Sequence, residues 1–178
     1  LSMVYDRETG AMRTLLVSPS PRWFLLLSKL IAGVFVSILQ VYTFLLIAWF
    51  WGVKPPLWGY LAVLPALVLS GLMLGALGLF VSSAIKQLEN FSVVMNFLIF
   101  PVFFASSALY PLWRMKESSV LLHNICAFNP FTHAVELIRF ALYLQFDLLS
   151  FVVTAGCFAL FFGAAVFMYD PAKGLWGR

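Results

Sequence analysis

The sequence predicts an all-α integral membrane protein, and three observations support this fold class. Hydrophobic residues make up 63% of the chain and charged residues only 10%, against about 25% charged in soluble domains. Four uncharged runs, 30–53, 55–85, 90–113 and 148–169, each reach the ~20 residues that a helix needs to cross ~30 Å of hydrocarbon. None of them alternates between polar and apolar residues, so we expect helices and not a β-barrel.

The first helix is predicted to begin at the interface, with Ser20 as N-cap and Pro21 at its first position, and to cross the membrane over residues 30–50. Arg22, Trp23 and Lys29 lie in the interfacial part. Cations extend their charged ends to the headgroups and indole rings settle at the interface. We therefore expect these three residues to be membrane-interface anchors.

The second transmembrane helix is predicted at residues 57–82, and it carries a row of small residues. The row consists of Ser70, Gly71, Gly75 and Gly78. Small side chains let another helix approach closely in a membrane. We favour this packing role, while a place on a substrate path remains the alternative.

The third transmembrane helix is predicted at residues 91–110, with Pro101 near its middle. A proline inside a helix removes a hydrogen bond and kinks the chain. Asn96, Ser106 and Ser107 add polar groups to the same helix. Two interpretations stay open for these residues, because they can line a substrate path or bind neighbouring helices.

Residues 111–146 are predicted to form an interfacial or re-entrant region on the outer side. Asn129 is a suitable N-cap and Pro130 suits the first position of the helix that follows. Glu136 and Arg139 are three residues apart, so they share one face of this helix. At about fifteen residues, the helix that begins at Pro130 is too short to cross the bilayer.

The fourth transmembrane helix is predicted at residues 147–169, with Asp147 as its N-cap. Four crossings place both ends of the chain on one side, which carries seven of the eleven Lys and Arg residues. The seven are Arg7, Arg13, Arg22, Lys29, Lys86, Lys173 and Arg178, and the other four are Lys54, Arg114, Lys116 and Arg139. The excess predicts a multi-pass protein of the cytoplasmic membrane, with its N-terminal segment and C-terminus in the cytoplasm.

Several functions are disfavoured by the residues that the sequence lacks. The four predicted crossings hold no deep charge, so the ion-coupling carboxylates of secondary transporters are missing. Without a GxxxxGK[ST] phosphate loop, this chain would depend on another polypeptide to bind nucleotide. His123 and His133 lie in the interfacial region, away from the serines of the transmembrane helices, which disfavours an intramembrane hydrolase. We predict no metal site, since His123 and Cys126 supply only two ligands, and no nucleic-acid surface.

The opening of the chain is its most polar part and is predicted to face a partner at the membrane surface. Gly10 can break a helix, and Leu15 and Leu16 form an apolar ridge suited to a groove on another protein. Glu8 and Arg13 are placed to pair with charges of that partner. The alternative is that these charges only anchor a membrane end.

This opening resembles the cytoplasmic signature of type-2 ATP-binding-cassette (ABC) exporter permeases. The matching residues are Asp6, Arg7, Glu8, Gly10, Arg13, Leu15, Leu16, Ser18, Pro19 and Arg22, followed by Lys29. Two later stretches support the resemblance, one from Pro101 to Pro111 and one from Asn129 to Arg139. Together the three stretches cover nearly the whole chain in the family's order.

The resemblance implies a fold with six transmembrane helices, of which this chain would show the last four. Residues 1–29 would hold the coupling helix that docks on an ATPase subunit. Its contact residues would be Glu8, Gly10, Arg13, Leu15, Leu16 and Pro19. One departure is that Ser107 and Ala108 follow Ser106 where the family often has Gly.

The resemblance also implies a division of labour between subunits. The permease would pair with a second permease, expected to be a copy of itself, and with two ATPase subunits. ATP and Mg²⁺ would bind those subunits, so this chain would need no cofactor and have no catalytic site. Because the crossings lack charge and are rich in Phe, we expect export of an apolar or amphipathic compound, such as a drug, lipid or lipid-linked glycan. The alternative is a non-transporting scaffold that recruits a soluble protein.

Overall fold

The structure of the chain is a computed structural model that describes residues 22–52, 56–84, 88–108 and 120–168. The predicted partner-contact residues Glu8, Gly10, Arg13, Leu15, Leu16 and Pro19 lie outside these ranges. The described part contains six helices. They are α1 (Arg22–Phe50), α2 (Leu57–Ala84), α3 (Leu88–Phe104), α4 (Val120–Phe128), α5 (Pro130–Leu142) and α6 (Leu148–Met168).

Three of these helices, α1, α2 and α6, are long and apolar enough to cross a membrane. Their ends agree with the predicted bounds within two residues, and α1 includes the predicted interfacial turns before residue 30. With 29 residues, α1 is about 43 Å long at 1.5 Å per residue. Its first turns therefore extend beyond the hydrocarbon core in the same continuous helix.

Helix α2 is the centre of the bundle, because it contacts α1, α3, α5 and α6. The main core cluster joins Leu26 and Leu30 of α1, Ala76 and Leu79 of α2, and Ala165 of α6. Much of the remaining surface of α1 and α6 is apolar and exposed. This distribution is expected where lipid, and not water, is the solvent.

Two glycines of the small-residue row on α2, Gly71 and Gly75, lie against α1, in agreement with the packing interpretation at these two positions. A Cβ atom on Gly71 would lie 3.2 Å from Val34 Cγ2, and one on Gly75 would lie 2.6 Å from Leu30 Cδ2. Any side chain at Gly75 would therefore displace Leu30. The absence of side chains on these glycines sets the distance between α1 and α2.

Helix α3 differs from its prediction, because it ends at Phe104 and residues 105–108 form turns. Pro101 consequently lies in the last turn of the helix and not near its middle. The backbone N–H of Ala105 still bonds to Pro101 O at 2.9 Å. Beyond that point, side chains of α5 and its N-cap form hydrogen bonds with the backbone N–H and C=O groups that a longer helix would pair with each other. The predicted range 91–110 is thus too long at its C-terminal end.

The described part of the predicted interfacial region, residues 120–146, contains two short helices, α4 and α5, of 9 and 13 residues. Asn129 caps α5 with its side chain and Pro130 occupies the first turn, which confirms both predictions. At 1.5 Å per residue, α5 is about 20 Å long and cannot cross the bilayer. It packs instead against α2 and α6.

Candidate functional site

A cavity of about 810 Å³ lies between α1, α2 and α3 and is partly open to the surroundings. Along α1 its lining runs from Lys29 to Val41, a distance of about 18 Å. Glycines of the α2 row leave part of this space free. The lining residues are Lys29, Leu30, Gly33, Val34, Ser37, Val41, Leu67, Ser70, Gly71, Leu74, Gly75, Gly78, Leu79, Ser82, Met95, Asn96, Ile99 and Ile138.

The cavity wall is mainly apolar, with a few separated polar groups. Among the described residues of the lining, Lys29 is the one with a charge and Asn96 the one with an amide side chain. Ser82 is only 2% exposed, and its hydroxyl has no hydrogen-bond partner among the described residues. Such a wall can hold the apolar body of a ligand and orient its polar part.

A second polar cluster holds the end of α3 against α5, and we call it the α5 clamp. It consists of Asn129, Thr132, Glu136 and Arg139 with the backbone groups that they bind. Asn129 Nδ2 donates to Val102 O at 2.7 Å and to Ala105 O at 2.8 Å. The Oδ1 atom of the same side chain accepts from Phe131 N at 3.0 Å. One amide thus caps α5 and binds two carbonyls at the end of α3.

Thr132 and Arg139 form hydrogen bonds with the backbone N–H and C=O groups of Ser107. Ser107 N donates to Thr132 Oγ1 at 3.3 Å, and Arg139 Nη2 donates to Ser107 O at 3.0 Å. Arg139 Nη1 also donates to Glu136 Oε1 at 2.9 Å. The predicted placement of Glu136 and Arg139 on one face is confirmed, and Glu136 is buried with 7% of its surface exposed.

The two interpretations of the polar residues near α3 now separate. Asn96 lines the cavity, whereas Ser106 and Ser107 are fully buried in the turn beside the α5 clamp. Ser106 Oγ donates to Phe103 O and accepts from Ala108 N at 3.2 Å. Ser106 and Ser107 therefore contribute to helix packing, whereas Asn96 lines the cavity.

A third polar contact, not predicted from the sequence, joins α4, α5 and α6. His133 Nε2 lies 2.9 Å from Ala127 O, and His133 Nδ1 lies 3.4 Å from Ser150 Oγ. Ser150 Oγ donates to Asp147 Oδ2, and Asp147 Oδ1 accepts from Leu149 N at 3.2 Å, which confirms its role as the cap of α6. The sequence around Asp147 was enough to predict the cap, but the contact between His133 and Ser150 depends on how α5 packs on α6.

The interface anchors are described in part. Trp23 is half exposed, as suits an indole at a membrane surface. Lys29 lies nearby on α1 at one end of the cavity. The side chain of Arg22 lies outside the described part of the structure.

Neither a metal centre nor a reactive thiol is evident in the described ranges. No group of three or more potential metal ligands comes together there. Cys126 is fully buried, and burial raises the pKa of its thiol. A raised pKa reduces the thiolate fraction and hence nucleophilic reactivity.

Comparison with known proteins identifies the family. A family model described as "ABC-2 type transporter" matches residues 1–143. A "Probable multidrug ABC transporter permease YbhR" of Escherichia coli strain K12 is 28% identical over 140 residues, which cover 78% of this chain and 37% of that protein. The "Putative transport permease ycf38" of Cyanophora paradoxa is 29% identical over 79% of this chain and 48% of its own length.

A third relative is "Nodulation protein J" of Rhizobium leguminosarum bv. viciae, 30% identical over 44% of this chain and 29% of that protein. The chain spans less than half the length of each of these three relatives. No solved structure matches it. The family match covers most of the chain, including the α5 clamp and the cavity, so the chain belongs to the ABC-2 type transporter family.

Proposed function

We propose that this chain belongs to a permease subunit that exports an apolar or amphipathic compound across the cytoplasmic membrane. The single observation that carries the proposal is the cavity between α1, α2 and α3. Its volume of about 810 Å³ falls within the roughly 300–1,000 Å³ of small-molecule sites. Two of the three helices around the cavity, α1 and α2, are long and apolar enough to cross a membrane, so a transported compound would pass beside it.

The lining favours an amphipathic cargo over a small ion. Ion pathways use rings of charged side chains or backbone carbonyls, whereas Lys29 is the one charged residue among the described residues of this lining. Apolar side chains can bury the hydrocarbon part of a cargo, while Asn96 bonds to a polar group. The name of the Escherichia coli relative, a probable multidrug permease, supports the same class of compound.

The energy source in this proposal is a separate ATPase subunit. Two such subunits would dock on the segment around Glu8 and Arg13, on the cytoplasmic side of the membrane. A second permease, proposed to be a copy of this chain, would complete the transporter. ATP binding would draw the ATPases together, and the coupling segment would transmit that movement to α1.

A transport assay tests the proposal. Membrane vesicles that contain the full-length protein and its co-purifying ATPase are given ATP and a lipophilic fluorescent dye, with a fluorescent phospholipid as a second probe. We expect ATP-dependent movement of at least one probe and loss of this movement in Glu8→Ala or Arg13→Ala variants that still insert. Transport of a small inorganic ion alone would contradict the proposed cargo.

A matched pair of variants tests the cavity itself. Gly33 lines the cavity, and a Cβ atom added to it would have no other atom within 4 Å. A Cβ atom added to Gly156 would also have no atom within 4 Å, but Gly156 does not line the cavity. Gly33→Leu should fill part of the cavity and reduce transport, whereas Gly156→Leu should leave it unchanged. Equal transport by both variants would exclude this cavity from the path.

The non-transporting scaffold remains the second candidate. A scaffold would co-purify with a soluble partner, but neither ATP nor the Gly33→Leu substitution would change the movement of the dye or the phospholipid across the membrane. If the permease stimulates the activity of a co-purifying ATPase, the scaffold hypothesis is wrong.

A further inference from the structure

The depth of Lys29 in the cavity follows from how the glycines of α2 pack on α1. Gly75 of α2 lies beside Leu30 of α1. Four residues earlier, Gly71 lies beside Val34, so α1 and α2 are antiparallel. Lys29 directly precedes Leu30 and is therefore at about the depth of Gly75.

Asn96 and Ser82 lie toward the same end of the cavity. A Cβ atom on Gly78 would lie 3.9 Å from Met95 Cε, so Asn96, the next residue, is at about the depth of Gly78. Ser82 lies about one helical turn beyond Gly78, near the end of α2. Side chains of a helix lean toward its N-terminus, so the long side chain of Lys29 can reach toward Ser82. We call Lys29, Ser82 and Asn96 the polar end of the cavity.

Ser82 gives the polar end an unused capacity for hydrogen bonding. Its side chain lines the cavity and is only 2% exposed, and its hydroxyl meets no hydrogen-bond partner among the described residues. Buried hydroxyl groups are nearly always bonded, because an unpaired one destabilises the protein. The hydroxyl of Ser82 therefore indicates a polar ligand atom in the cavity.

The charge of the polar end favours an anion. Lys29 supplies a positive charge, and no Asp or Glu is among the described residues of the lining. The amide of Asn96 and the hydroxyl of Ser82 can both donate hydrogen bonds. Hydrogen bonds from an ammonium group to a phosphate or carboxylate are among the stronger ones in proteins. An anionic group is therefore a better partner for this end than a neutral or cationic group.

The rest of the cavity suits a hydrocarbon chain. The other two hydroxyls of its described lining are already bonded within the protein, since Ser37 Oγ donates to Gly33 O at 3.0 Å and Ser70 Oγ donates to Ala134 O at 3.3 Å. The remaining described residues of the lining are apolar or glycine. Helices α1 and α3 both pack on α2 but scarcely on each other in the described ranges, so the cavity can be entered sideways from the lipid.

We propose that the cavity binds an anionic amphipath, with a headgroup such as a phosphate at the polar end and the hydrocarbon chain between α1 and α3. The inference rests on the proposed function, because it takes the cavity as the place where the cargo binds, and it narrows the cargo to an anionic compound. In the predicted topology the polar end lies on the cytoplasmic side. Such a compound would therefore enter from the cytoplasmic leaflet.

Cysteine labelling at position 33 measures the occupancy of the cavity. A Gly33→Cys variant of the full-length protein that lacks other cysteines is purified in a neutral detergent and treated with a small maleimide. Dodecyl phosphate, dodecanol or inorganic phosphate is added as the probe. Dodecyl phosphate should slow labelling at a concentration at least about tenfold below that of dodecanol, as expected for a charge-assisted bond. Inorganic phosphate should have no effect, because it has no hydrocarbon chain, and Gly156→Cys, outside the described lining, should react at one rate throughout.

Substitutions at the polar end test its role. Lys29→Gln should remove the preference for dodecyl phosphate, while Lys29→Arg should retain most of it. Ser82→Ala should raise the protective concentration of dodecyl phosphate about fivefold without a loss of stability, since this hydroxyl has no described partner to lose. Ser83→Ala is the matched control, because Ser83 Oγ donates to Leu79 O at 2.8 Å and lies outside the described lining. It should leave the protective concentration unchanged.

Four results would overturn the inference. They are equal protection by dodecyl phosphate and dodecanol, protection by inorganic phosphate, a preference that Lys29→Gln and Ser82→Ala leave intact, and a disulfide between two Gly33→Cys chains, which would show that a second copy covers the cavity. The labelling needs no ATP, so its result is separate from transport. A preference for dodecyl phosphate without transport of any probe would support the site and contradict only the proposed function. Transport of the dye without this preference would overturn the inference alone.

Discussion

Arg139 on α5 donates a hydrogen bond to the backbone oxygen of Ser107 beyond the end of α3, with 3.0 Å between Nη2 and O. The same guanidinium binds Glu136 at 2.9 Å. A planar group with several donors can make both bonds at once, which an ammonium group does less well. Arg139 therefore connects a buried carboxylate with the turn after α3.

The first prediction concerns this ion pair. Arg139→Gln leaves Glu136 buried without its cation, which costs roughly 3–5 kcal/mol for fully buried pairs. Because the Arg139 side chain is 33% exposed, we expect about 2 kcal/mol, within the penalty for an unpaired buried group. Thermal unfolding in detergent should show a lower midpoint for Arg139→Gln than for the double variant Glu136→Gln/Arg139→Gln. A double variant that is less stable than the single one would contradict the prediction.

The second prediction separates the two roles of Asn129. Asn129→Asp retains an N-cap for α5, but it loses the donors to Val102 O and Ala105 O and places a carboxylate beside these carbonyls. We expect a loss of about 2 kcal/mol, as for unsatisfied buried groups. Hydrogen exchange should increase at the end of α3 while the first turn of α5 stays protected. Unchanged exchange at α3 would count against this role.

The third prediction compares three glycines that differ in the space around them. A Cβ at Gly59 would lie 2.0 Å from Leu142 O, which is backbone, whereas at Gly75 it would meet the end of the flexible Leu30 side chain. Overpacking costs about 1–3 kcal/mol, so Gly59→Ala should lower the unfolding midpoint most and Gly75→Ala less. Gly33→Ala, with open space around it, is the matched control and should cause no loss. Equal midpoints for all three variants would contradict the close packing of α2.

The fourth prediction concerns the reactivity of Cys126. Its thiol is fully buried and burial raises its pKa, so less thiolate is present at a given pH. In a Cys157→Ser background, a maleimide should label Cys126 at least about tenfold more slowly than a cysteine introduced by Ile125→Cys, since buried groups react only through local opening. The comparison variant also carries Cys126→Ser, and its site is half exposed on the same helix. Equal rates would show that α4 is loosely packed.

The comparison of sequence with structure shows what local patterns can predict. Apolar length placed the transmembrane parts of α1, α2 and α6 within a few residues, and the Ser20-Pro21 pair predicted that α1 begins before its apolar run. The Asn129-Pro130 pair predicted the start of α5, because a cap acts on the residues that follow it. Glu136 and Arg139 were recognisable because three residues on a helix fix their separation.

Contacts between distant segments could not be predicted in the same way. Arg139 meets Ser107, 32 positions earlier, and His133 meets Ser150, 17 positions later. No periodicity encodes such distances, because they depend on how helices pack. The end of α3 was misplaced for this reason, since Asn129 binds carbonyls that an uninterrupted helix would use itself.

The dependence of the α3 terminus on α5 has a mechanical consequence. Two carbonyls, one amide hydrogen and one further backbone oxygen at this terminus are held by side chains of another helix. The C-terminal end of α3 and helix α5 should therefore move together, as one rigid unit, during any conformational change. If α3 moves so that the cavity between α1, α2 and α3 widens, α5 should move with it. A change inside the bilayer would then also change the structure at the membrane surface.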